Sequence, residues 1–211
     1  MPKESLSPNE VRDMCLAVAD KIIESEPILT DADRQLGDGD HGIGMQRGMT
    51  AVKEKLGEAD YESVGKVFMD MGMAMMSSMG GASGAVFGTL FRAGGKAIKG
   101  SETFGASEVG EFFKNAAQGV KDRGGAKPGD KTMVDALDPA AAAAESASGK
   151  SLCEALNDVS AAAANGREES KDMIATMGRA RTLGEKSLGH PDAGAVSVAI
   201  IAQQMADFCG D

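Results

Sequence analysis

Apolar residues recur three and four positions apart along almost the whole chain, and no segment shows a convincing alternating strand pattern. Val11, Met14, Val18 and Ile22 share one face, and Val64, Val67, Phe68, Met71, Met75 and Met79 share another. That spacing is helical, and a chain built only of such stripes must bury helix against helix. The expected fold class is all-α, an up-and-down bundle or barrel of seven or eight antiparallel helices. With 211 residues and no long linker or internal repeat, one domain spanning 1–211 is expected.

Local signals set the boundaries. Ser7-Pro8-Asn9-Glu10 reads as a capping box with proline opening a helix over about 8–25. An acidic turn should follow, then helices over 41–56 and 63–79. GGASG at 80–84 interrupts the pattern before a helix reaching about Ile98, and Ser107 is placed to cap the next. DRGGAKPGDK at 122–131 reads as a loop. Thr132 to Ala147 should be a helix bent at Pro139, Ser151 to Met177 a helix divided near Gly166, and Ala195 to Phe208 the last one.

The formal charge is -10 and the pI about 4.8, which argues against nucleic acid or an anionic membrane surface as a general partner. Cys15, Cys153 and Cys209 are far apart with no CxxC spacing, so three reduced, mostly buried thiols are expected and no zinc site. No apolar run spans a bilayer, and MPKESLSPNE lacks the apolar core of a signal peptide. A cytoplasmic protein is the natural expectation. Fourteen methionines against one tyrosine and no tryptophan suggest a core tolerant of irregular space.

The helices are unremarkable in composition; the loops are not. LGDGDHGIGM at 36–45 sets Asp38 and Asp40 in one glycine-rich turn, with Asp33 just before it. Such crowded carboxylates belong either to a solvated loop or around a cation. Their hard oxygens suit Mg2+, which proteins commonly hold with a few carboxylates plus substrate phosphates. An EF-hand does not fit, because Gly42 and Met49 fall where ligands are needed. Glycine loops ahead of helices offer backbone N–H groups to phosphate. Lys131, Arg179, Arg181 and Lys186 lie in or beside the later loops and could neutralise phosphate charge. There is no GxxxxGK motif, so a nucleotide would need another scaffold. In an up-and-down bundle, alternate loops share one end, so four such loops could form one site.

Four ordered segments, DRQLGDGDHG (33–42), SSMGGASGAVFGT (77–89), RGGAKPGDKTM (123–133) and GRARTLGEKSLGHPDAGA (178–195), resemble the nucleotide-binding L subunit of dihydroxyacetone kinase, the DhaL family. The resemblance covers nearly the whole chain. It implies a barrel of eight antiparallel helices holding Mg-ADP or Mg-ATP at one end. Asp33, Asp38 and Asp40 would hold two Mg2+ ions. Nucleotide contacts would fall on His41, Gly42, Ile43 and Gly44, on Ala82 and Ser83, on Gly124 and Met133, and on Arg179, Asp192, Ala193 and Gly194. Arg179 is the residue we expect to steady charge on the transferring group. The implied partners are a K subunit that holds dihydroxyacetone, and in one branch an M-type phosphotransferase-system protein. Some L subunits instead dock on a transcription regulator. The sequence leaves the phosphoryl donor, the exact ketose (erythrulose is an alternative to dihydroxyacetone) and the oligomeric state, a homodimer included, open. Fatty acid kinase shares the acidic turn but typically has threonine where this chain has His41. The chain departs from the family at Gly44, usually asparagine, at Arg181-Thr182, usually Ser-Tyr, and at Pro191-Asp192-Ala193, where the usual order is Asp-Pro.

Overall fold

The computed structural model describes residues 3–210; Met1 and Pro2, which open the stretch read for a signal peptide, and Asp211 lie outside it. The described elements are β1 (Ser5–Leu6), α1 (Pro8–Glu24), α2 (Glu26–Arg34), α3 (His41–Leu56), α4 (Val64–Ser78), α5 (Gly81–Ala97), β2 (Phe104–Gly105), α6 (Ala106–Gly124), α7 (Val134–Glu145), α8 (Leu152–Glu169) and α9 (Ala193–Gly210). Short 3-10 turns at Ser170–Asp172, Ala180–Thr182 and Gly184–Ser187 lie between α8 and α9. No helix among the described residues is long and apolar enough to cross a membrane.

Eight of the helices make a closed ring. α1 packs on α3, each later helix packs on the next, and α9 returns to α1. α2 stands outside this order and covers α3 and α9. The ring is filled by fully buried Met14, Met45, Met49, Met71 and Met75, together with Phe68, Phe91, Phe104 and Phe112. Its tightest seam lies between α4 and α5. A Cβ at Gly65 would stand 2.4 Å from the Gly95 carbonyl oxygen, and one at Gly72 would stand 2.5 Å from that of Gly88. Glycines seven apart on both helices thus let the backbones touch.

Several boundaries differ from the sequence expectation. EPILTDADR is a helix, α2, where a turn was expected: Ser25 ends α1 and also starts α2, with Pro27 in the opening turn, where its missing N–H costs nothing. α6 begins before Ser107, because the Glu108 carboxylate accepts the Gly105 N–H at 3.0 Å and places the cap two residues earlier, at Gly105. α7 starts at Val134 and runs through Pro139. Proline cannot donate to the Asp135 carbonyl, and Gly166 packs on that same oxygen, where a Cβ would stand 2.1 Å away. Gly166 is therefore a close-approach residue inside α8 and not a break. α8 ends at Glu169, well before Met177, because Met173 turns extended and Thr176 bonds to Asp130 instead of continuing the helix.

The cysteine expectation also fails in part. Cys153 at the start of α8 and Cys209 near the end of α9 are joined by a disulfide, since these neighbouring antiparallel helices bring the two positions together. Cys15 stays free and buried, and burial pushes its thiol up.

Candidate functional site: four loops at one end of the barrel

Alternation of direction puts residues 35–40, 79–80, 125–133 and 170–192 at the same end, where they surround a cleft of about 670 Å³. Asp33 comes from the last turn of α2, and Asp38 and Asp40 come from the turn after it. The Gly37 and Leu36 N–H groups donate to the Asp33 carbonyl at 2.5 and 3.0 Å, and Gly39 adopts φ +75°, which folds the turn back. One oxygen from each of the three carboxylates lies within 4.8 Å of the others. The Arg179 guanidinium pairs with Asp38 and approaches Asp40 at 3.7 Å, so cationic charge already lies among the acids.

His41 opens α3, and its N–H donates to Asp33 at 3.2 Å. Its side chain is buried, with Nε2 2.8 Å from the Ser197 hydroxyl, which in turn donates to the Ala193 carbonyl at 3.2 Å. Burial holds the imidazole below its ordinary pKa, against the opposing pull of Asp33. The ring therefore ties the start of α3 to the start of α9.

The α4–α5 connection is short. Gly80 and Gly81 have φ +72° and +61°, a conformation that side chains resist, and α5 begins with Gly81-Ala82-Ser83 without a side-chain cap. Cβ atoms added at Gly44, Gly80, Gly81 or Gly178 would meet nothing within 4 Å, so these backbones border open space in the cleft. The uncapped N–H groups of such a helix start suit anionic oxygens.

The remaining wall is held by polar groups, with Asp130 and Asp135 buried and Asp192 half-buried. Asp135 accepts the Gly129 and Thr132 N–H groups at 2.6 and 2.7 Å, and Asp130 accepts the Thr176 hydroxyl at 2.6 Å, which keeps its carboxyl below the usual range. Asp192 caps α9 through the Ala195 N–H at 2.8 Å. Desolvation pushes its carboxyl up to about 7, with Asp135 adding to the rise and backbone hydrogen bonds and Lys131 opposing it.

Of the residues singled out from sequence, Asp33, Asp38, Asp40, His41, Ile43, Gly44, Ala82, Ser83, Gly124, Met133, Arg179, Asp192, Ala193 and Gly194 all line this cleft. Gly42 does not. It faces α2, where a Cβ would stand 2.5 Å from the Glu26 carbonyl oxygen. Arg181 and Lys186 are exposed and outside the lining; Lys131 does line the cleft, but its ammonium donates to backbone carbonyls. Sequence reasoning missed Arg47, which also lines the cleft; its position one helical turn after Ile43 was the available signal. It also missed the apolar floor of Leu36, Phe87 and Val120.

A DAK2 domain is matched over residues 35–207. The chain is 37% identical over 204 residues to the PEP-dependent dihydroxyacetone kinase, ADP-binding subunit DhaL, of Escherichia coli strain K12, covering 96% of this chain and 97% of that one. It is 36% identical to the L-erythrulose kinase of Pectobacterium atrosepticum over 88% of this chain and 32% of the kinase. Its fold superposes on the crystal structure of the dihydroxyacetone kinase of C. freundii with a TM-score of 0.74 and 25% identity, over 98% of this chain. The chain spans 35% of that solved protein, about a third, as with the erythrulose kinase. Both the extent of the matched domain and the end-to-end similarity to an L subunit lead to one conclusion: the chain belongs to the DhaL family of dihydroxyacetone kinase subunits.

Proposed function

We propose that this chain is the Mg-nucleotide-binding, phosphoryl-transferring subunit of a dihydroxyacetone-type kinase, acting in the cytoplasm as one domain spanning 1–211. The observation that carries this reading is the acidic trio facing the uncapped start of α5 across one cleft. The residues present fit the group. Asp33, Asp38 and Asp40 supply clustered hard oxygens, and Gly44, Gly80, Gly81 and Gly178 leave room that side chains would fill. These aspartates would hold Mg2+, two ions by the family resemblance, and bound Mg2+ would supply neutralisation of phosphate charge. The Ala82 and Ser83 N–H groups, with that of Ala193, would orient phosphate oxygens. Leu36, Phe87, Val120 and Met133 offer an apolar face to a base and keep water from it. Arg179, paired with Asp38 and beside Asp40 at the cleft, would steady the transferring group. The ketose would be presented by a separate K-type subunit, with an M-type phosphotransferase-system protein as the other candidate partner. Erythrulose is a second candidate substrate, supported by the 36% identity to an L-erythrulose kinase.

The test is thermal unfolding with EDTA, with Mg2+ alone, and with Mg2+ plus ADP or ATP. A nucleotide present at about 100 times its Kd adds roughly 2.7 kcal/mol of stability. We expect that gain only when metal and nucleotide are both present, and we expect Asp38→Ala to remove it. Equal stability in all three conditions with nucleotide-free wild-type protein would sink the reading. Phosphoryl transfer to dihydroxyacetone or erythrulose on a K-type subunit then separates a kinase from a docking module.

A further inference from the structure

Lys131 is the most unusual cation in the chain. Its backbone has φ +58°, the only positive φ outside glycine among the described residues. Its side chain is 2% exposed, although an ammonium is costly to remove from water unless its donors are used. Two of the three donors are assigned. Nζ donates to the Ser170 carbonyl at 2.5 Å and to the His190 carbonyl at 2.7 Å. These acceptors stand at the two ends of the connection between α8 and α9, so one ammonium closes the base of a long loop. Two further bonds complete the closure: the Gly189 N–H donates to the Lys171 carbonyl at 2.8 Å, and the Asp192 N–H donates to the Ser170 hydroxyl at 3.1 Å. The preceding residue holds the same loop further along, through Asp130 and Thr176. The loop so held carries Arg179, which reaches Asp38 and Asp40, and ends at Asp192, which starts α9.

We propose that Lys131 is a positioning residue, a strut that closes the base of the 170–192 loop and sets where Arg179 and Asp192 stand over the cleft. Although it lines the cleft, two of its three donors are spent on the loop, so we assign it to the loop and not to phosphate. Strain and buried charge gathered at one residue, both resolved by contacts to a single loop, are what such a strut requires. The loop's action on a nucleotide rests on the function proposed above; the strut does not.

The loop contains Lys171, Arg179, Arg181 and Lys186, so trypsin reports directly on its hold. In ligand-free protein we expect Lys131→Met and Lys131→Gly each to speed cleavage within 171–186 by at least tenfold, with helical content retained. The glycine variant relieves the positive φ, so equal effects in the two variants assign the loss to the ammonium. Cleavage at the wild-type rate in both, or acceleration in Lys131→Met alone, overturns the strut. If neither variant folds, Lys131→Arg decides: it keeps a cationic donor at this position, so cleavage near the wild-type rate supports the strut, and cleavage at least tenfold faster overturns it. Mg-ADP titration supplies the other arm. Weaker binding together with faster cleavage is the expected pair. Lost binding with wild-type cleavage would make Lys131 a phosphate ligand and overturn the proposal, while absence of binding in the wild type would fail the kinase reading and leave the cleavage result standing.

Discussion

The two ends of the barrel are built by opposite rules. At the end away from the cleft, α1, α6 and α8 begin with a glutamate at the third helical position that accepts the cap residue's own N–H. Phe68, Phe104, Phe112 and Phe113 pack there with ring centroids as close as 4.4 Å, β1 pairs with β2, and the disulfide joins α8 to α9. At the cleft end α3 and α5 begin without side-chain caps of their own, glycines at 39, 80, 81, 125, 129, 178, 184 and 189 take positive φ, and carboxylates crowd together. One end closes its polar groups internally; the other leaves them open. Stability at the first end supports the unmet hydrogen-bonding capacity of the second.

This contrast can be broken by mutation. The largest effect should come from Phe112→Ala, which empties the aromatic cluster and should cost about 3–5 kcal/mol in urea unfolding. The Mg-nucleotide stabilisation should survive in that variant, because the cluster is remote from the cleft. A loss under about 1 kcal/mol would mean that the aromatic end is not where stability resides. Next comes the disulfide. Its residues are 56 apart in sequence, and Cys153→Ala should cost about 2–4 kcal/mol under oxidising conditions. Wild-type and variant proteins should unfold alike once a reductant is present, and a gap that persists would assign the effect to packing. The smallest change sharpens the contrast from the other side. Gly44 is helical, and a Cβ there meets nothing within 4 Å, so Gly44→Ala should raise stability by up to about 1 kcal/mol. A fall in Tm would show that this position is more constrained than the open cleft implies.

Much of this division was legible in the sequence. Ser7 with Glu10 and the stripes of α1 and α4 marked helices directly, because their periodicity is strong and local. α2 was not legible, since Pro27 and three nearby aspartates look like a turn until α3 and α9 are present to receive Leu29 and Thr30. Residues 170–177 continue the helical pattern of α8, but bonds from Asp130 and Lys131 to the loop outweigh propensity, and such long-range bonds leave no local mark. The disulfide was invisible for the same reason: spacing says nothing of which helices are neighbours. The cleft was legible as four glycine-rich loops sharing one end, whereas Gly42, read with its neighbours as a nucleotide contact, turns its Cα toward α2. Motif membership does not say which way a residue points.

The closed ring also has a kinetic consequence. Almost every packed pair follows in sequence order, from α3 with α4 to α8 with α9, so most contacts need only short excursions of the chain. The pairing of α9 with α1 is different, because it joins the two helices farthest apart in sequence. Chain entropy opposes that one encounter more than any other, and low contact order elsewhere speeds the steps before it. A row of helices becomes a barrel only when that seam closes.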